Sequence, residues 1–177
     1  MKLSRVERWI LSSQYRILEI LEPDEAESYS LRREALDEGY ELEYEGACRH
    51  IYDEQNGLTE AGCTEVIGIL DMYSDLRTSF DRLSPPDRVG IGEDDVKFDG
   101  FDGKGEGSQL RYARYLKRRQ KWSDLLGTGI DDLNSHMQTL EIYRRMLSVW
   151  RGLDSDRDAL TRDEILRVVA ARIHPSN

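Results

Sequence analysis

Within residues 4–21 the apolar side chains Val6, Trp9, Ile10, Leu11, Tyr15, Ile17, Leu18, Ile20 and Leu21 cover far more than one stripe of a helical wheel. The polar positions Arg5, Arg8, Ser12, Arg16 and Glu19 recur 3, 4, 4 and 3 residues apart, which is helical spacing, and form one narrow strip. Ser4 followed three residues later by Glu7 is a capping box that opens this helix, and Pro23 stops it just after Leu21. A helix wet on so little of its surface belongs at the centre of a domain or against a second chain, so Trp9, Ile10 and Ile17 are candidate interface residues.

The pattern continues as helices. A second is expected from Pro23-Asp24 to Gly39, and a third over about 41–54. The longest should run from Thr59 to about Leu83, where Ser84-Pro85-Pro86 ends it. Its broad apolar face, Cys63, Val66, Ile67, Ile69, Leu70, Tyr73, Leu76 and Phe80, makes it and the first helix the expected core. The period is lost over about 85–107, a long loop with six glycines and room for a short extended piece at Val96-Lys97-Phe98. Three further helices are expected over about Ser108–Leu125, Ser135–Arg151 and Thr161–Ile173, the last opened by a Thr161/Glu164 capping box. Without an internal repeat or a low-complexity linker, the expectation is all-α: one multihelical domain of about seven helices over residues 1–177.

Charge narrows the partners. A formal net charge of −10 opposes nonspecific attraction to nucleic acid and anionic lipid. Cys48 and Cys63 are too few for a disulfide framework and read as buried thiols in a reducing compartment. Residues 1–13 lack a continuous apolar run of signal-peptide type, and no stretch approaches a membrane span. A cytoplasmic protein with no membrane contact is expected.

Several motifs invite a chemistry. Asp154, Asp156 and Asp158 match the first ligands of an EF-hand loop, but Ala159 stands where the turn needs glycine and Ile165 where a bidentate Glu is required. Their acids suit a solvated loop before the Thr161 cap, and no metal is expected. Cys48, His50 and Cys63 lack a fourth zinc ligand. Residues 111–122 carry six basic residues and no acid, with Tyr112, Tyr115, Leu116 and Trp122 on another side of the wheel. Such a surface suits single-stranded nucleic acid, yet residues 19–45 hold eleven acids that could pair with it, so nucleic acid is disfavoured. Gly103, Gly105 and Gly107 precede a helix without P-loop spacing. His50, His136 and His174 are the only imidazoles; His136 sits beside Asn134 and Ser135 at an expected helix start.

Taken in order, Arg8-Trp9-Ile10-Leu11-Ser12-Ser13-Gln14-Tyr15, Gly39-Tyr40, Ile69-Leu70-Asp71-Met72-Tyr73, Phe98-Asp99-Gly100-Phe101-Asp102-Gly103, Tyr112-Ala113-Arg114-Tyr115, Asn134-Ser135-His136-Met137 and Tyr143-Arg144-Arg145-Met146-Leu147 resemble the bacterial YfbU family. The resemblance implies a cytoplasmic, mostly helical, self-associating protein and carries no established activity. It marks Asp102, Arg114, His136, Tyr143 and Arg144 as matching the family pattern. Lys104-Gly105-Glu106 stand where the family has amides, which weakens a ligand role for that half of the loop.

Two functions follow as expectations. The first is a homo-oligomeric protein-interaction or regulatory module without cofactor or chemistry of its own, open to a further protein partner. The alternative is a small-molecule or phosphoester enzyme with its site at Asp102, Arg114, His136 and Arg144. There Asp102 would meet at least one arginine, and His136 would share the network.

Overall fold

The computed structural model describes residues 1–48, 51, 57–129, 132–153 and 159–173. Among them the protein is all-α, with eight α-helices and no strand. The helices fall into two compact units, residues 1–56 and 57–177. The two helices expected to share one core therefore each anchor a separate apolar cluster.

In the first unit, α1 (Arg5–Leu21) opens on the expected Ser4/Glu7 box. A 3-10 turn at Pro23–Glu25 leads into α2 (Ala26–Glu38), which Gly39 closes at φ +80°. The helices run antiparallel and bury Tyr15 and Leu36 together with Tyr44 of α3 (Tyr44–Cys48). Arg8, Ser12 and Glu19 of the polar strip of α1 lie on this inner side, with Arg5 and Arg16 exposed: Arg8 donates to the Leu36 carbonyl (2.9 Å), Ser12 to Asp37 (2.6 Å), and Arg33 of α2 meets Glu19 (2.7 Å). Only Leu3, Leu11 and Leu18 add half-buried apolar contacts from this N-terminal stretch.

In the second unit, α4 (Glu60–Arg82) is central, capped by Thr59 and stopped before Pro85 as expected. Val66, Ile69, Leu70, Met72, Tyr73, Leu76 and Phe80 are buried against α5 (Gly107–Arg118), α6 (Ser123–Leu126), α7 (Leu140–Arg151) and α8 (Arg162–Ala170). Between α4 and α5 the loop holds 3-10 turns at Pro85–Arg88 and Glu93–Val96, and it contributes Ile91, Val96, Phe98 and Phe101 to the core. No strand forms at 96–98; an isolated parallel bridge joins Phe101 to Asn134 instead.

Two helix ends lie furthest from where the pattern puts them. The fifth ends at Arg118, where Lys121 N–H donates back to the Leu116 carbonyl (3.2 Å) across Gln120 at φ +55°. This is a Schellman closure with glutamine in glycine's place. Trp122, also left-handed at φ +52°, is tethered by its indole N–H to Asp71 Oδ1 (2.9 Å). The sixth expected helix begins at Leu140 rather than Ser135, because residues 133–139 are pulled into the long loop.

Candidate functional site

That junction is the most elaborate polar structure in the second unit. Phe101 N–H donates to the Leu133 carbonyl (3.0 Å), and Ser135 N–H returns to Phe101 O (3.3 Å). Leu133 and His136 both adopt φ +56°. Asn134 Oδ1 accepts from Gly103 N–H and His136 N–H, each at 3.1 Å. Gly100 at φ +92° lies so close to Leu133 that a Cβ there would stand 1.9 Å from its carbonyl oxygen. The Gly100 carbonyl accepts from the Thr139 hydroxyl (2.9 Å) and the Tyr143 phenol (3.1 Å).

Glu106 completes the junction, and the sequence reading passed over it. Although 5% exposed, its carboxylate accepts from the backbone N–H of Asp102 (2.9 Å), Thr139 (2.8 Å) and Leu140 (2.6 Å), and lies 3.0 Å from the Thr139 hydroxyl. It therefore caps α7 from the start of α5, where an anion also meets the positive helix end. No signal for it is legible in the sequence: Thr139 at the N-cap of α7 is itself a good capping residue, and only the structure shows that its side chain does not cap the helix.

Among the described residues the expected ligand residues make no hydrogen bond or ion pair with one another. Asp102 takes no arginine; its Oδ2 accepts from Gly105 N–H (2.8 Å) as a local turn. Arg114 donates to the Asp132 carbonyl (2.6 Å) and reaches its carboxylate (3.2 Å). Arg144 forms a bidentate pair with Glu65 (2.8 and 3.0 Å) and also meets Glu141. The physical reason is proximity: each arginine finds a carboxylate beside or across from its own helix, and Asp102 is engaged by its own loop. His136 is exposed, and its backbone N–H, which donates to Asn134 Oδ1, holds its left-handed backbone in place.

Tyr143, in contrast, is 1% exposed and belongs to the fold. It meets Phe98, Phe101 and Tyr73 at ring separations of 5.2–5.8 Å and accepts from Asp99 N–H (3.3 Å). Burial, with the nearby Asp99 charge for Tyr143 and the neighbouring Tyr143 for Tyr73, pushes both phenols well above their ordinary value of 10.0. The unfolded chain thus ionises these phenols first, so their contribution is intact below pH 10.0 and declines as pH rises above it. We expect cooperative alkaline unfolding in which the tyrosinate absorbance of these two rings appears only with loss of helix. Noncooperative titration of all nine tyrosines with helix intact would contradict it.

Elsewhere, Cys63 is a half-buried free thiol whose Sγ lies 3.9 Å from the Leu58 carbonyl. The Cys48 side chain, His50, His174 and the acids at 154, 156 and 158 lie outside the described residues. Among the described residues no group of three His, Cys, Asp or Glu could hold a metal, and no helix is long and apolar enough to cross a membrane.

The outer face of α1 is the other candidate. Opposite the strip that meets α2, Val6 (63%), Trp9 (72%), Ile10 (46%), Ile17 (56%), Ile20 (75%) and Leu21 (69%) are exposed. The all-round apolar helix thus turns Arg8, Ser12 and Glu19 of its polar strip inward and leaves its greasiest face open.

A YfbU domain matches residues 1–171. The chain belongs to the YfbU family. The UPF0304 protein MJECS11 of Methanocaldococcus jannaschii is 34% identical over 172 residues, 96% of this chain and 99% of that protein. That relative is archaeal, so the bacterial restriction attached to the resemblance does not carry over. Neither name states an activity. The strings 98–103 and 134–137, through which the chain resembles YfbU proteins, meet at the Phe101–Asn134 bridge.

Proposed function

We propose that this YfbU protein acts by self-association, with the outer face of α1 packed on the same face of a second copy. One observation carries the reading: six large apolar side chains, 46–75% exposed, share one helix face. Contiguous patches of this kind on soluble proteins mark contact surfaces.

The arrangement of the face favours a second copy over an unrelated partner. Ser13 stands at its middle, small, and with its hydroxyl donating to the Trp9 carbonyl (2.8 Å). Trp9 and Ile17 lie four residues to either side, Val6 and Ile20 seven. An antiparallel pair of α1 helices related by a two-fold axis at Ser13 therefore sets Trp9 against Ile17 and Val6 against Ile20 in both directions, as an isologous contact requires. Antiparallel helix dipoles also attract. The enzyme alternative gains no support from the contacts of Asp102, Arg114 and Arg144, each of which meets another group of this chain.

Light scattering at about 10 μM should give at least twice the 20.5 kDa chain mass. Trp9→Glu with Ile17→Glu should return it to 20.5 kDa with helical circular dichroism retained, since both side chains are outside the α1–α2 core. The cost of roughly 3–5 kcal/mol that removing a buried tryptophan carries does not apply to the folding of one chain here, because Trp9 is 72% exposed; the loss falls on association. A parent mass of 20.5 kDa, or an oligomer indifferent to both substitutions, would refute the proposal.

A further inference from the structure

We propose that the groove between α2 and α3 docks a basic amphipathic helix of another protein, with its apolar stripe in the groove and its Lys or Arg side chains on the rims. The groove has a volume of about 420 Å³. Ala35 and Tyr44, both buried, form its floor, and Leu31 and Tyr40 stand open beside them, 63% and 50% exposed. Gly46 and Ala47 keep the α3 side low, and a Cβ added at Gly46 would meet nothing within 4 Å. Large apolar side chains standing beside small ones make the kind of surface that receives a helix by its apolar stripe. No residue of the outer face of α1 lines this groove, so the two surfaces are separate.

Charge selects the occupant. Glu34 of α2 and Glu43 of the 3-10 turn at Glu41–Glu43 line the groove, and Glu38, Glu41 and Glu45 are exposed on the same elements. Among the described residues none of these five glutamates makes an ion pair. The lining cation, Arg32, makes none either and stands 6.0 Å from the Tyr15 ring centroid, while Arg33 is held by Glu19 and Asp37. The acidic balance does not depend on those contacts, because residues 31–56 hold eight acids against Arg32, Arg33 and Arg49. A basic helix gains attraction from this surface, whereas a nucleic acid, or a second copy with its net charge of −10, meets repulsion.

A synthetic helix of about 14 residues, Leu and Lys with every Leu on one face, tests the assignment by fluorescence anisotropy. One control peptide has the same composition with Leu spread around the wheel, and another has Glu for Lys. The first peptide should bind saturably, and each control should bind about tenfold more weakly or worse. Gly46→Leu fills the groove without a clash and should weaken binding by about tenfold or more; Leu31→Ser should weaken it several-fold. Glu34→Gln with Glu43→Gln should weaken it about fivefold at low ionic strength, and less as salt screens the charges. Trp9→Glu with Ile17→Glu should not weaken it.

The proposal would be overturned by no saturable binding, by equal binding of the spread-Leu peptide, or by binding unchanged in Gly46→Leu. Binding lost in Trp9→Glu with Ile17→Glu would overturn it as well, by placing the peptide on α1. So would an oligomer that persists in that double variant and disappears with Gly46→Leu, since a second copy would then fill the groove. Leucine is a better helix former than glycine, so Gly46→Leu keeps α3, and an unchanged circular dichroism spectrum verifies this.

Discussion

Replacing Gly100 with alanine is expected to destabilise the protein by roughly 3–5 kcal/mol and to lower Tm by about 6–20 °C. The new Cβ would stand 1.9 Å from the Leu133 carbonyl oxygen and 2.5 Å from its carbon, so the backbones must separate. At φ +92° alanine is strained even before that clash. Separation breaks the Phe101–Leu133 and Ser135–Phe101 hydrogen bonds and shifts the Gly100 carbonyl that holds Thr139 and Tyr143. Gly129→Ala is the control, since its Cβ meets nothing; it should change stability by less than about 0.5 kcal/mol. Thermal melts monitored by circular dichroism decide the matter, and a Gly100→Ala melt within 2 °C of the parent would show that the loops can part without loss.

Glu106→Ala should cost a similar amount, roughly 3–5 kcal/mol. It strips the partner from the N–H groups of Asp102, Thr139 and Leu140 at a position 5% exposed, and it removes the charge that complements the start of α7. Each orphaned donor costs about 1–3 kcal/mol, and the three are not independent. Glu106→Gln keeps one oxygen for these donors and presents an NH₂ to the others, so it should fall between parent and alanine. Denaturant unfolding of the three proteins checks the order. If the alanine variant matched the parent, water or a relaxed loop must satisfy those groups.

These two residues show where sequence reading succeeds. The glycines of residues 98–107 mark an irregular loop, and they do form one; but whether a glycine is needed for its left-handed φ is settled by Leu133, thirty-three residues away. Glu106 likewise reads as a departure from a pattern until Thr139 and Leu140 are seen against it. The expected pairing of Asp102 with an arginine failed for the same reason. A carboxylate's partner is whichever donor the fold brings nearest, and Gly105 N–H, three residues on, is nearer than any guanidinium held elsewhere.

By itself the sequence determined what depends on a few adjacent residues. The Ser4/Glu7 and Thr161/Glu164 boxes, the Thr59 cap and the stop before Pro85 set α1, α8 and α4 close to where they were read, because cap and capped N–H lie within one turn. The all-α class followed from the helical period. Tertiary structure decided the rest. It ended α5 at a left-handed Gln120, with Asp71 tethering the left-handed Trp122 next to it, and delayed α7 to the cap supplied by Glu106. It also chose which side of α1 faces α2. A helix apolar nearly all round has no intrinsic inside; the Leu36 carbonyl, Asp37 and Arg33 drew in Arg8, Ser12 and Glu19 of the polar strip, and the face of Trp9 and Ile17 was left outward.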